Sequence, residues 1–226
     1  MNHPFYKKTK RERRIIQLAI ALPALVLFIL ATFISITSAF YLLAPLVMAI
    51  ILSVIAPFFD TPAMRKNGRL IYYSPLFLSE KEKDGLLKIH GGTLLDYVFV
   101  LDRKMSGKQR TRFILQQYLK GLLNLLETYE HKEKDNLKLT GTSYIINHRT
   151  AHKIGFSKVP TDFVQKVILS FNYFNLLLSN SIAKAKISFP NINRVQTFET
   201  DLKTLRSKEG TISALSEKLE QGLPQK

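Results

Sequence analysis

The sequence predicts a membrane-anchored α/β (or α+β) protein. An N-terminal transmembrane helical hairpin is followed by a small cytoplasmic domain with helices packed on a sheet. Three observations lead there. Residues 15–59 form a run of 45 without Asp, Glu, Lys or Arg. Two basic clusters, "KKTKRERR" (7–14) and "RKNGR" (65–69), flank that run. From residue 69 to 184, strand-like and helix-like patterns roughly alternate, the order expected when helices are laid on a sheet.

The hairpin follows from length. One helix of 45 residues would be about 68 Å long at 1.5 Å per residue, whereas the hydrocarbon core of a bilayer is about 30 Å thick. Two spans, about 15–36 and 39–59, fit with little tilt. The break is placed at the small polar patch Ser35, Thr37 and Ser38 within "SITSAFYLL". A buried soluble hairpin is disfavoured because neither half has a polar face. A cleaved signal peptide is disfavoured because its apolar stretch is normally only about 7–15 residues. Lys and Arg mark the cytoplasmic flank of a span. Both flanks are basic and the connecting turn is uncharged, so both termini are expected in the cytoplasm of a multi-pass cell-membrane protein.

Charge bounds the partners. The chain of 226 residues carries a formal net charge of +16 and no Cys. Disulfides, Cys-based metal sites and a Cys nucleophile are therefore excluded. Residues 1–14 form a basic N-terminus, with six Lys or Arg against one Glu. Residues 61–226 hold 27 basic and 15 acidic residues. Such a balance suits anionic lipid head groups, an acidic protein or nucleic acid.

The domain is expected over residues 65–206. "RLIYYS" (69–74) reads as a strand. In "SEKEKDGLLKIHGG", Ser79 and Glu82 match a capping box and predict a short helix over 80–90; the rival is a hairpin turning at Lys83-Asp84-Gly85. "TLLDYVFVL" (93–101) reads as a buried strand because it is apolar except at Asp96. Leu115, Leu119, Leu122, Leu126 and Tyr129 then recur at three and four residues and predict one apolar face of a long helix. "LKLTGTSYIIN" (137–147) reads as a strand, and "RTAHKIGF" as a short helix stopped by Gly155. Residues 162–184 read as the central core helix, with Leu119, Leu122 and Phe171 facing inward. "ISFP" reads as a last short strand. The tail, 207–226, mixes charges with Gly and is expected to be loose or partly helical.

Each candidate motif is partial. "IHGGT" (89–93) suggests an oxyanion-hole loop, yet no G-x-S-x-G elbow accompanies it. His90 and Asp96 come near the His/Asp base-and-orienter spacing of glycerolipid acyltransferases, with one residue too many between them. They are the catalytic candidates. His148 and His152 lie i, i+4, but Arg149 stands where a zinc protease needs its Glu, so no metal site is assigned. "RKMSGKQRTR" (103–112) has five cations and no acid. Ser106 is its candidate N-cap. Cations at a helix start are unfavourable by roughly 0.3–1 kcal/mol each, and a bound anion would reverse that sign. The anion-binding candidates are therefore Arg103, Lys104, Ser106, Lys108, Arg110 and Arg112. "SGKQ" lacks the upstream Gly of a P-loop, and no cofactor is indicated.

The resulting expectation is a membrane-anchored binding or scaffolding module, with a basic surface for anionic lipid or an acidic partner. A membrane-bound enzyme acting on a phosphate-bearing or lipid substrate is the alternative. A tethered nucleic-acid-binding domain is a third reading, which no recognised motif supports.

Overall fold

A computed structural model describes residues 3–131, 134–143, 145–146 and 148–223. The chain opens with a one-turn helix, α1 (Pro4–Lys7). Two long helices follow, α2 (Lys10–Thr37) and α3 (Leu43–Lys66), both long and apolar enough to cross a membrane. They pack on one another and run past the uncharged stretch into its basic flanks. Thr9 and Glu12 close a capping box that starts α2. The turn sits at the polar patch. Ser35 Oγ donates to the Phe40 carbonyl at 2.8 Å, Ser38 Oγ donates to Ile34, and Ala39 adopts φ 54°. Hydroxyls thus satisfy the backbone there without Gly or Pro. Pro45 lies in the first turn of α3, where its missing N–H would have had no helical partner.

The remaining chain forms a six-stranded mixed sheet with helices. The strands are β1 (Leu70–Ser74), β2 (Phe77–Glu80), β3 (Leu86–Gly91), β4 (Lys138–Ser143), β5 (Ser157–Val159) and β6 (Gln196–Asp201). Their order is β1-β2-β3-β4-β6-β5, and β3–β4 is the parallel pair. The helices are α4 (Leu94–Val100), α5 (Gly107–Thr128), α6 (His148–Lys153), α7 (Phe163–Phe171), α8 (Tyr173–Lys184), α9 (Leu202–Ser207) and α10 (Glu209–Gln221).

The core lies between one sheet face and α5. Leu87 and Leu139 point from the sheet into the cluster that holds Ile114, Leu119, Leu122 and Leu125 of α5. Leu119 and Leu122 are buried, as their spacing predicts. Fully burying such a side chain contributes about 1.5–3 kcal/mol. Asn124 Nδ2 donates to the Tyr73 carbonyl and Ser74 Oγ to the Gln117 carbonyl, which tie α5 to β1.

Several elements differ from expectation. Residues 80–90 are not a helix. Asp84 and Gly85 take φ 52° and 72°, and Lys83 and Leu86 exchange both backbone hydrogen bonds. This is the two-residue hairpin that Asp-Gly favours, so β2 and β3 replace the helix. Residues 93–101 are a helix, α4, rather than a strand. Asp96 Oδ2 accepts from the Thr93 N–H and hydroxyl and caps it. Its apolar run is continuous because α4 packs against α1, α3 and α8; periodicity alone does not separate a buried helix from a buried strand.

The helix expected over 162–184 breaks at Asn172 into α7 and α8. α7 has no buried residue, and Phe171 is 78% exposed, so it does not face the core. "ISFP" carries no strand. The last strand is β6, which pairs with β4 over six residues and buries only Phe198 on its core face. The tail is helical: α10 packs on α5 and buries Ile212. The short helix before Gly155 is present as α6, and Gly155 has φ 89°. Strand β4 matches 137–147 in part; Tyr144 and Asn147 lie outside the described residues.

Candidate functional site: a cleft at the junction of helical hairpin and domain

The hairpin and the domain share a buried cluster. Phe5 of α1, Phe58 of α3 and Leu94 and Leu95 of α4 form it, and Ile16, Ile20, Val54 and Ile182 pack around them. A polar knot lies beside it. Phe5 N–H donates to His3 Nδ1 at 3.2 Å, so the ring proton sits on Nε2 and donates to Asp96 Oδ1 at 3.0 Å. The Tyr72 hydroxyl donates to the same oxygen at 2.9 Å. Burial and the Asp96 charge push the Tyr72 hydroxyl well above the ordinary tyrosine range. Burial also raises Tyr6, whose ring carries the Arg65 guanidinium 3.7 Å from its centroid.

A cleft of about 990 Å³ opens off the carboxyl ends of β3 and β4, where Gly91, Gly92 and Ser143 line it. Cross-strand partners share a sheet face, and the pairs Leu78–His90, Leu70–Glu80, Lys88–Thr140 and Thr142–Thr197 put these residues on the face away from α5. They form a largely polar floor. The walls are apolar: Pro57 and Met64 come from α3, Leu169 and Leu176 from α7 and α8, and the cleft continues round to the other sheet face, where Leu119 of α5 and Leu215 of α10 line it. On the floor, His90 Nε2 and Glu80 Oε1 lie 3.0 Å apart, each a little under half exposed. The His90 hydrogen bond holds the Glu80 carboxyl below the usual glutamate range. Thr142, Thr197 and Thr161 form a hydroxyl chain with steps of 3.1 and 3.0 Å. Polar floor and apolar wall together suit an amphipathic ligand.

The catalytic candidates part company. His90 pairs with Glu80 in the cleft, while Asp96 is buried against His3 and Tyr72. No local pattern marks Glu80 as the partner of His90, because its position depends on the β2–β3 register. His3 lies 93 positions from Asp96, and no local pattern announces that contact. His148 and His152 stack at 6.3 Å. Among the described residues no cluster of three metal-ligating side chains occurs.

The six anion candidates also divide. Ser106 and Gln109 close the capping box of α5. Arg110 is buried and donates to the Ile182 and Arg103 carbonyls, and Arg112 donates to the Gly222 carbonyl. Arg103, Lys104 and Lys108 are exposed and unpaired with any acid among the described residues. Arg110 thus ties the loop to Ile182, which packs against both the domain core and the hairpin cluster. No family model, curated protein or solved structure matches the chain.

Proposed function

We propose that the protein is a membrane-anchored binding module that holds anionic lipid at the cytoplasmic face of the bilayer. The hairpin α2–α3 spans the membrane, and both termini and the domain lie on the basic, cytoplasmic side. The observation that carries this reading is the shared cluster: Phe58, at the charged end of the hairpin, packs with Leu94 and Leu95, and Ile182 packs against them. On this reading Arg103, Lys104 and Lys108, which are exposed, meet the anionic surface. Each cation near an anionic surface contributes roughly 1 kcal/mol of attraction. An acidic protein would meet the same cations.

A membrane-bound enzyme acting on a lipid or phosphate-bearing substrate is the second reading. The His90–Glu80 pair on the cleft floor favours it, as a His oriented by a carboxylate is a general-base arrangement.

The test uses the full chain in nanodiscs of neutral phosphatidylcholine, alone or mixed with phosphatidylglycerol. Extraction in mild detergent followed by mass spectrometry reads the lipid retained. The expected result is enrichment of phosphatidylglycerol, falling in steps with Lys104→Glu, Lys108→Glu and the double variant. Retention in proportion to the supplied mixture, with no effect of either variant, overturns the lipid reading. Release of fatty acid or phosphate from the supplied lipid, abolished by His90→Ala, would move the protein to the enzyme reading.

A further inference from the structure

The outer face of α7–α8 is apolar and has no partner among the described residues. Phe163, Val164, Ile168, Phe171, Phe174 and Leu178 are all 39–78% exposed. At about 100° per residue the four residues of α7 fall within an arc of about 140°, and Phe174 and Leu178 lie one turn apart on α8. The opposite arc carries Gln165, Leu169, Asn172, Leu176 and Ser179, which line the cleft. The two faces are therefore distinct: one closes the cleft, and the other shows large apolar side chains to the surroundings. Just after α8, Ile187 and Phe189 are 81% and 71% exposed. Contiguous apolar surface on this scale marks an interaction site.

We propose that this face is a bilayer-contacting surface: α7–α8 lies in the head-group and upper acyl region of the leaflet that the hairpin enters. This rests on the membrane reading of the hairpin. Three observations select lipid as the occupant. First, the face is continuous with the hairpin: α8 packs on α3, and Ile182 packs against the cluster that contains Phe58. Second, residues 163–198 carry four cations, Lys166, Lys184, Lys186 and Arg194, and no acid. Lys166, Lys184 and Lys186 are exposed, so the apolar arc has ammonium groups to meet lipid phosphates. An interfacial helix combines these two properties. Third, α3 and α7–α8 wall the same cleft, so a face seated in the leaflet would open that cleft directly to lipid.

The chain has no Cys, so single-Cys variants can be spin-labelled without background. The probes are Ile168→Cys and Phe171→Cys on the proposed face, Lys120→Cys on exposed α5 surface and Leu25→Cys within α2. The full chain is placed in phosphatidylcholine–phosphatidylglycerol nanodiscs. Power saturation then compares accessibility to oxygen, which partitions into lipid, with accessibility to a water-soluble nickel chelate. The expected shift at Ile168 and Phe171 is toward oxygen and away from nickel, as at Leu25, while Lys120 shows the reverse. Aqueous values at 168 and 171 with lipidic values at 25 overturn this proposal and leave the hairpin reading standing. Aqueous values at 25 as well overturn the membrane reading itself. Dipolar broadening between labels at 171 in discs loaded with two chains would assign the face to a second copy instead and also overturn the proposal.

Discussion

His3 Nε2 donates to Asp96 Oδ1 at 3.0 Å, and both side chains are fully buried. Asp96 also accepts from the Tyr72 hydroxyl and, through its other oxygen, from the Thr93 N–H. One carboxylate therefore joins the start of the chain, the first strand of the sheet and the N-terminus of α4. A buried acid is expensive unless its lone pairs are met, and here each oxygen has at least two donors. The arrangement clamps α1 over the end of the hairpin, where Phe5 enters the shared cluster.

Asp96→Ala removes the acceptor of four donors at once. Each buried neutral donor left without its acceptor costs about 1–3 kcal/mol, so the expected loss is at least that of one such donor. Thermal unfolding of the full chain in detergent reads the loss, and trypsin cleavage after Lys7 should accelerate because α1 is released. His3→Ala should cost less, since Tyr72 and Thr93 still satisfy the carboxylate. An Asp96→Ala chain with unchanged melting and unchanged cleavage would show that the knot contributes nothing.

The core and the exposed arc make opposite predictions. Leu122 is 2% exposed and Phe171 is 78% exposed. Leu122→Ala should destabilise by about 2–5 kcal/mol. Phe171→Ala, measured in detergent, should stay within about 0.5 kcal/mol of the parent. Equal losses at the two sites would mean that α7 packs against something in the folded chain.

Much of this contrast was legible beforehand. The period of Leu115, Leu119 and Leu122 identified the main core helix, because a surface helix must bury one stripe. The uncharged run likewise marked the hairpin, since no other length fits it. The failures share a physical cause. The 93–101 run packs against α1, α3 and α8 with no fully exposed residue and so has no period to read, and Phe171 belongs to an apolar pattern whose outward half resembles a core half. Strand β6 buries little beyond Phe198 and therefore sent no hydrophobic signal. For the site, the 103–112 cations were visible as a cluster, but only packing shows that Arg110 and Arg112 are spent on backbone carbonyls.

Orientation has a direct test. A Cys placed at Thr37, in the otherwise Cys-free chain, should react with an impermeant maleimide added outside intact cells. A Cys at Lys66 should react only after permeabilisation. Reaction of Lys66→Cys from outside would reverse the positive-inside assignment.

The His90–Glu80 pair predicts a pH dependence. Its carboxyl is held below the ordinary value of 4.5, chiefly by the His90 hydrogen bond. A depressed acid contributes stability that is complete above the unfolded value and is lost as pH falls through the folded one. The difference in melting temperature between the parent and His90→Ala should therefore shrink as pH falls from about 5 toward 3. Carboxyl NMR of Glu80 should show its midpoint rising in His90→Ala. A midpoint that does not move would break the link between the two side chains.

Gly107 opens α5 where the cation loop meets α8. A Cβ there would lie 2.1 Å from the Lys184 carbonyl oxygen and 2.6 Å from its carbon, both backbone atoms with little freedom to yield. By helix propensity alone, Gly→Ala gains up to about 1 kcal/mol. The contact should reverse that sign. Either α5 withdraws from α8, which breaks the Arg110 bond to the Ile182 carbonyl, or Lys184 shifts and disturbs the α8 C-terminus. Gly107→Ala should thus lower the melting temperature and speed amide exchange at 182–186 and 103–110 together. Gly210→Ala, with nothing within 4 Å of its Cβ, is the matched control and should hold or raise stability. If Gly107→Ala behaves like Gly210→Ala, the close approach of α5 to α8 is absent in solution, and the tie from Arg110 to Ile182 does not hold the cation loop against α8.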